Sequence, residues 1–465
     1  MTSLAQMPFQ FTYSTVPGSC IRSGLVKTAT SEVPTPALIV PMTKGVIPHV
    51  TYDIQLKLPE SKMLGLLYTD LCDLDYDRIM RSQNKTAREF LFPEIIAQQP
   101  NSLFLRIRDP STTNIVGPAN GKQTAVQGGT GKVRIDSTSF LSTIFRTQPC
   151  IASLPCDEPI VEEPVNDPEA EKKALKRIRK SVMQTIGYGD QIIEMIKNPK
   201  LPELLNGALT PSDRLPALFS VLEGGWSIDS REHAVKHVNR LCDLSDAIKG
   251  TVVSGLDQVK PENISAVLAP TKVLKSDLVR VVSVLGTPDS IVTCILNGMD
   301  LFDTSYPIQL AECGYGLVFP LLTDALYAAL QVGVPSYPIP FVINFSLPQF
   351  QLQNTPFVTT AKQLFEESAE LLQDCTCPAC TAPTGASTAY IHHLINTHEM
   401  NAVVLSSIHN LHHYQAFFTH LRAKIAENKP DLPTILLAYS QLLQKARTSQ
   451  EIVMNKLGKE YKNFE

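Results

Sequence analysis

No stretch of this sequence approaches the roughly 20 consecutive apolar residues that a membrane-spanning helix needs, and no segment of it repeats. Basic charge is not in excess either. Lys and Arg number 41 against 45 Asp and Glu, so the chain as a whole is no electrostatic binder of nucleic acid, and any phosphate contact must come from a local patch. The N-terminus, MTSLAQMPFQF, lacks a charged start followed by an apolar core, so a secretory signal is not expected. A disulfide framework is not expected. Seven of the ten cysteines are scattered: Cys20, Cys72, Cys150, Cys156, Cys242, Cys294 and Cys313. In a long chain without a signal they read as reduced, cytosolic thiols. What remains is ordinary globular composition, 43% hydrophobic over 465 residues, ample for one large core and a smaller module.

The order of elements is legible in part. Residues 35–59 contain TPALIVPM and IPHVTYDIQLKLP, short Val-, Ile- and Thr-bearing runs broken by Pro and Gly, which predict extended chain. Residues 109–132 are rich in Gly, Asn, Thr and Pro and predict a loop. From 201 to 345 short apolar runs alternate with helical stretches. LPALFSVLEGG is followed by a polar helix to about 246, then GTVVSGL, a helix, RVVSVLG, the helix PDSIVTCILNG and MDLFD. This β-α-β-α rhythm argues for parallel strands joined by crossover helices. Val404, Ile408, Leu411, Phe418, Leu421 and Ile425, with Tyr414 between, fall at helical steps and predict a long amphipathic helix. Its stripe is core or interface, and Phe417 and Phe418 offer a partner surface. The last thirty residues predict a polar helix.

The most specific signal is Cys375-Thr-Cys377-Pro-Ala-Cys380, followed by a histidine-dense stretch. Three thiolates within six residues can converge on one ion, and a distant imidazole can complete a closed tetrahedral zinc site of the structural kind. Free surface thiols are the alternative, at the cost of an oxidation liability. His409 and His413 lie one helical turn apart, and local spacing leaves the fourth ligand open between them.

These residues resemble the tRNA-guanine transglycosylase family, which exchanges guanine in tRNA anticodons for a queuine-type base. The family's Cys-x-Cys-x-x-Cys, Tyr-x-His-His-Leu and Ile-His-Asn segments are matched by Cys375, Cys377 and Cys380, by Tyr390-Ile-His392-His393-Leu394, and by Ile408-His409-Asn410. The resemblance makes His409 the fourth ligand of one structural Zn2+ and implies a (β/α)8 TIM-type barrel, preceded by an N-terminal antiparallel β element and carrying a zinc-binding subdomain near the C-terminus. Upstream, Thr35-Pro36-Ala37 resembles the family's first strand. Leu222-Glu223-Gly224-Gly225 and Ser254-Gly255-Leu256 resemble its glycine turns, and Gly298-Met-Asp300-Leu-Phe302-Asp303 its nucleophile segment. The implied division is a β element and barrel over 1–370, a zinc-binding subdomain over 371–430 and a C-terminal helix on the barrel over 431–465.

The catalytic apparatus is incomplete. Exchange at a ribose needs one carboxylate to attack and another to handle protons. Asp303 matches the nucleophile, but Tyr306-Pro307-Ile308-Gln309 stands where the family has Pro-Thr-Arg. The family carries the second acid in an Asp-Ser-Gly-Gly-Phe-Gln motif, of which no complete copy exists here. Asn120-Gly121-Lys122 and Gln127-Gly128-Gly129-Thr130 hold no aspartate, and Asp136-Ser-Thr-Ser-Phe140 is a partial echo. Gly128 to Lys132 is no phosphate loop, since Val126 and Val133 occupy required positions. Asp157 is a counterpart of the base-recognition acid, with a solvated loop as its plainer reading. Glu223 replaces the recognition glutamine. Asp157, Glu223, Gly224, Gly225 and Gly255 are thus expected relics of a substrate pocket, and Asp303 a vestigial nucleophile whose plain reading is a turn or cap. Six basic residues lie in 172–180. Lys176, Arg177, Arg179 and Lys180 are candidates for tRNA contact, with a solvated helix face as the default.

This pattern resembles the family's non-catalytic subunit, which pairs with a catalytic queuine tRNA-ribosyltransferase subunit as a heterodimer on tRNA. The implied setting is cytoplasmic, with peripheral association at the mitochondrial outer membrane. Two other readings stand beside it: an active homodimer using Asp303, and a zinc-stabilised scaffold with no tRNA role.

Overall fold

The computed structural model describes residues 5–58, 61–73, 101–109, 123–128, 131–164, 167–205, 213–381, 385–450 and 452. Eight strands pair in parallel and close into a barrel in chain order: β4 (Ala37–Pro41), β5 (Met63–Leu67), β6 (Ser102–Arg106), β9 (Ile151–Ser153), β10 (Ala217–Leu222), β11 (Ile248–Val253), β12 (Val279–Ser283) and β13 (Leu301–Asp303). The expected barrel is therefore present. So is the antiparallel element before it, β1 (Phe9–Thr15), β2 (Arg22–Thr28) and β3 (Glu32–Thr35).

The two faces of each strand explain why these runs are so apolar. Side chains alternate along a strand. Ala37, Ile39, Met63, Phe104, Ile151, Phe219, Val221, Val252, Val279, Val281 and Leu301 form one buried cluster inside the barrel. The alternate residues, such as Leu38, Val40, Leu64, Leu103, Leu105, Val253, Val282 and Phe302, belong to a larger cluster shared with the surrounding helices. Strands buried on both faces read as continuous hydrophobic runs. Arg22 ties the antiparallel sheet to the barrel. It stacks on Tyr13 and Phe11, with its Cζ 4.5 and 5.2 Å from the ring centroids, and its guanidinium pairs with buried Asp300 before β13.

Five helices carry the candidate residues or pack beside them: α1 (Ser137–Thr147), α2 (Pro168–Lys197), α3 (Ile228–Leu244), α4 (Asn401–Ala426) and α5 (Leu432–Ser449). Asp167 and Ser227 cap the N-termini of α2 and α3 through their side chains, as such residues do. The helix predicted around Val404 to Ile425 is α4. Phe417 and Phe418 are fully buried in it, so they are core and present no partner surface. The C-terminal helix α5 is less polar than its sequence suggests. Leu432, Leu436, Tyr439, Leu442 and Leu443 are buried, and Ser440 and Arg447 bond to Asp289 of the barrel shell.

The extended chain expected over IPHVTYDIQLKLP is not found. Residues Tyr52–Gln55 form a helical turn, with Gln55 N–H bonded to Thr51 O at 2.9 Å. The physical reason is closure: β4 already pairs with β5 and β13, so the barrel offers no edge for this segment to join. Within the predicted loop 109–132, residues 110–122 and 129–130 lie outside the described residues, and the remainder forms the antiparallel pair β7 (Thr124–Gly128) and β8 (Gly131–Ile135). Cys20, Cys150, Cys156, Cys242 and Cys294 are free thiols, as expected. No described helix is long and apolar enough to cross a membrane.

Candidate functional sites at the barrel mouth and the cysteine cluster

Strand parity decides which side chains reach the barrel mouth. Two residues beyond inward-facing Leu301, Phe104, Val221, Val252 and Val281 come Asp303, Arg106, Glu223, Ser254 and Ser283. All five are buried. Arg108 continues the parity of β6, and Cys156, Asp157 and Glu158 follow β9. Aligned strands thus bring polar groups from six of the eight strand ends to one place, as in barrels generally.

Asp303, Glu158, Asp257 and Asp157 each pair with an arginine there. Arg106 donates to the Asp303 carboxylate and, at 3.4 Å, to Met42 O. Arg108 pairs with Glu158 and also donates to Asp257 at 2.9 Å. Glu158 further accepts the Gly255 N–H at 3.0 Å. Arg177 forks onto Asp157 at 2.7 and 2.8 Å. Burial raises the Asp303 carboxyl above its ordinary range, with Arg106 opposing it. Glu223 is the exception. Its Oε2 accepts the Gly224 N–H at 2.9 Å, while Oε1 has no partner among the described residues. Burial, then the charge of Glu158, pushes its pKa up to about 8, so Glu223 is largely protonated at neutral pH.

The glycine turns have a local purpose. Arg231 is fully buried and donates to the carbonyls of Gly225 and Ser254, each at 2.8 Å. Gly224 has φ +154°, and a Cβ there would lie 2.5 Å from Arg231 Cγ. The turn after β10 is therefore shaped to admit Arg231. Between Arg106, Arg108, Glu158, Ser254 and Asp303 the remaining cavity is about 20 Å³, room for about one water.

Two plain readings change. Asp157 is buried and paired with Arg177, not in a solvated loop, because α2 folds back over it. Arg177 is correspondingly committed, and it leaves the set of freely exposed cations. Lys172, Lys173, Lys176, Arg179 and Lys180 line exposed positions of α2 and have no ion pair among the described residues. Asp136 is a helix cap: its Oδ1 accepts the Ser139 N–H at 2.8 Å in a capping box at α1. Asn120, Gly121 and Lys122 lie outside the described residues. Arg106 and Arg108 were missed by sequence reasoning. The available signal was the run Phe104-Leu-Arg106-Ile-Arg108, where two cations at i and i+2 end an apolar strand on one face.

The cysteine cluster has the opposite character. The ligand atoms of Cys375, Cys377, Cys380 and His409 lie within 4.8 Å of one another. Tetrahedral zinc with sulfur at about 2.3 Å and nitrogen at about 2.0 Å sets S···N edges of about 3.5 Å. His409 Nδ1 stands 3.3, 3.8 and 3.4 Å from the three sulfurs in turn. His409 Nε2 is 2.7 Å from Leu317 O. A carbonyl only accepts, so Nε2 carries the proton and Nδ1 turns a lone pair to the sulfurs. The residues present therefore fit a zinc ion. The backbone N–H groups of Cys377 and Cys380 point at Cys375 Sγ and Cys377 Sγ, at 3.4 and 3.3 Å. His413 bonds Phe319 O through Nε2 and His392 bonds Phe345 O through Nδ1, so neither completes the cluster. Asn410, next to His409, bonds Pro307 O, Tyr315 O and Leu317 N, which clamps α4 to the chain that follows Asp303.

The sequence profile of the family described as queuine tRNA-ribosyltransferase matches residues 158–432. Proteins named queuine tRNA-ribosyltransferase accessory subunit 2 are similar along most of the chain. That of Danio rerio is 24% identical over 418 residues, covering 88% of this chain and 93% of its own length. That of Ixodes scapularis is 26% identical, covering 83% and 88%, and that of Homo sapiens is 24% identical, covering 72% and 77%.

Proposed function

This chain belongs to the queuine tRNA-ribosyltransferase family, and within it we propose the role of a non-catalytic subunit. It completes a dimer with a catalytic paralogue and helps hold the tRNA whose guanine is exchanged at the anticodon. The carrying observation is the engagement of Asp303 by Arg106 beside a cavity of about 20 Å³. A nucleophilic carboxylate must be free to reach an anomeric carbon, and a base must have room. The names of the relatives support an accessory role.

In this reading Cys375, Cys377, Cys380 and His409 hold one structural zinc. With all four positions supplied by protein, the ion acts as a cross-link for the segment around 371–430. The exposed cations Lys176, Arg179 and Lys180, with Lys172 and Lys173, supply contact to the tRNA backbone. The proposed setting is cytoplasmic, with peripheral association at the mitochondrial outer membrane.

The test is reconstitution. Mixing the purified chain with a catalytic paralogue is expected to give a one-to-one complex by light scattering and faster queuine-for-guanine exchange than the paralogue alone. A mixture that forms no complex and leaves the paralogue's rate unchanged contradicts the role.

A further inference from the structure

Two side chains of one strand fill the barrel mouth. Arg106 and Arg108 leave β6 on the inward parity, and both guanidiniums lie on carboxylates that come from other strands: Asp303 at the end of β13, Glu158 after β9 and Asp257 after β11. A guanidinium and the N1–H/N2–H2 edge of guanine present the same planar fork of donors, which a carboxylate accepts bidentately. Beyond Cβ, the two arginines together hold about as many heavy atoms as a purine. The wall accommodates them, since a Cβ on Gly65 would lie 2.9 Å from Arg106 Nη1. Yet the fit is incomplete. Arg106 Nε, Arg108 Nε and Ser254 Oγ have no hydrogen-bond partner among the described residues, although buried polar atoms are normally paired. The charges are met and the secondary donors are not, as befits side chains standing where a ligand with its own donors and acceptors would sit.

The geometry points to Arg106 and Arg108 as internal occupants of the barrel mouth, holding the Asp303 and Glu158 carboxylates in the place of a purine base. The inference rests on the family reading above. It goes further by assigning the exclusion of a base to two named side chains that stand on the acidic groups of the mouth.

Guanine titrated calorimetrically into the full-length chain tests this. The wild-type chain is expected to show no binding up to the solubility limit of guanine. The variant Arg106→Ala/Arg108→Ala is expected to bind it, at least tenfold more tightly than Arg106→Ala alone. Should unpaired carboxylates unfold the double variant, Arg106→Ala and Arg108→Ala, each keeping one arginine, are compared singly with wild type; circular dichroism checks each fold. Folded variants that bind guanine no better than wild type overturn the inference. So does binding by the wild-type chain without exchange, an outcome that leaves the non-catalytic reading intact. Guanine exchange by the wild-type chain alone overturns that reading itself.

Discussion

The cysteine cluster and the barrel mouth are both buried constellations of groups able to do chemistry, and they differ in where their lone pairs go. At the cluster, three sulfurs and one imidazole nitrogen face a common centre, and the second nitrogen of His409 is spent on a carbonyl to keep it so. At the mouth, the carboxylates of Asp303, Glu158 and Asp157 are each taken up by an arginine of the same chain. Convergence on an ion is the signature of a site kept for binding. Internal neutralisation is the signature of acids kept for structure. One fold carries both, and under the proposed role family membership and catalytic competence separate.

The largest expected effect lies at the cluster. Structural zinc contributes on the order of 10 kcal/mol in small zinc-binding peptides. Cys377→Ser or His409→Ala is expected to abolish the single bound zinc, read by elemental analysis, and to lower the melting temperature more than any single substitution at the mouth. A variant that keeps full stability without metal removes the structural half of the comparison.

Next comes the pair Arg106–Asp303. Arg106→Ala strands a buried carboxylate and is expected to cost about 3–5 kcal/mol in denaturant unfolding, whereas replacing both partners by apolar residues, Arg106→Met with Asp303→Leu, is expected to cost much less. Equal costs would mean that the pair is not a coupled unit.

Glu223 gives a smaller effect that depends on pH. Its folded pKa of about 8 lies above the ordinary 4.5, so between these values the folded state binds more protons than the unfolded one. Its contribution to stability is complete below about 4.5, declines by up to about 1.4 kcal/mol per pH unit as pH rises, and levels off above about 8. Glu223→Gln is expected to flatten this part of the stability-versus-pH curve; an unchanged slope contradicts a protonated Glu223.

The smallest effect on folding is expected at the surface of α2. Lys176→Glu, Arg179→Glu and Lys180→Glu together are expected to change stability by under about 1 kcal/mol while weakening tRNA binding by the assembled dimer and reducing its salt dependence. Arg177→Ala is expected to do the reverse, costing stability through Asp157 more than it costs binding.

Local patterns were legible in the sequence. The spacing of Cys375, Cys377 and Cys380, the alternation from 217 to 303 and the helix through Ile408 and Leu421 each depend on neighbours within a few turns. The pairings at the mouth were not. Arg106 and Asp303 are 197 residues apart, and only barrel closure brings them together. The same holds for Asp157, whose acidic, proline-rich surroundings suggested solvent until α2 packed over it. Residues 50–58 misled for the opposite reason: their alternation suits a strand, but a closed sheet has no edge to receive one.

The central claim is that this chain keeps the fold of a transglycosylase while its own carboxylates are unavailable for exchange. Labelled guanine incorporation into tRNA by the purified chain alone tests it most directly. No incorporation above background, with the same preparation active once a catalytic paralogue is added, is the predicted result. Sustained turnover by the lone chain, abolished by Asp303→Ala, would contradict it.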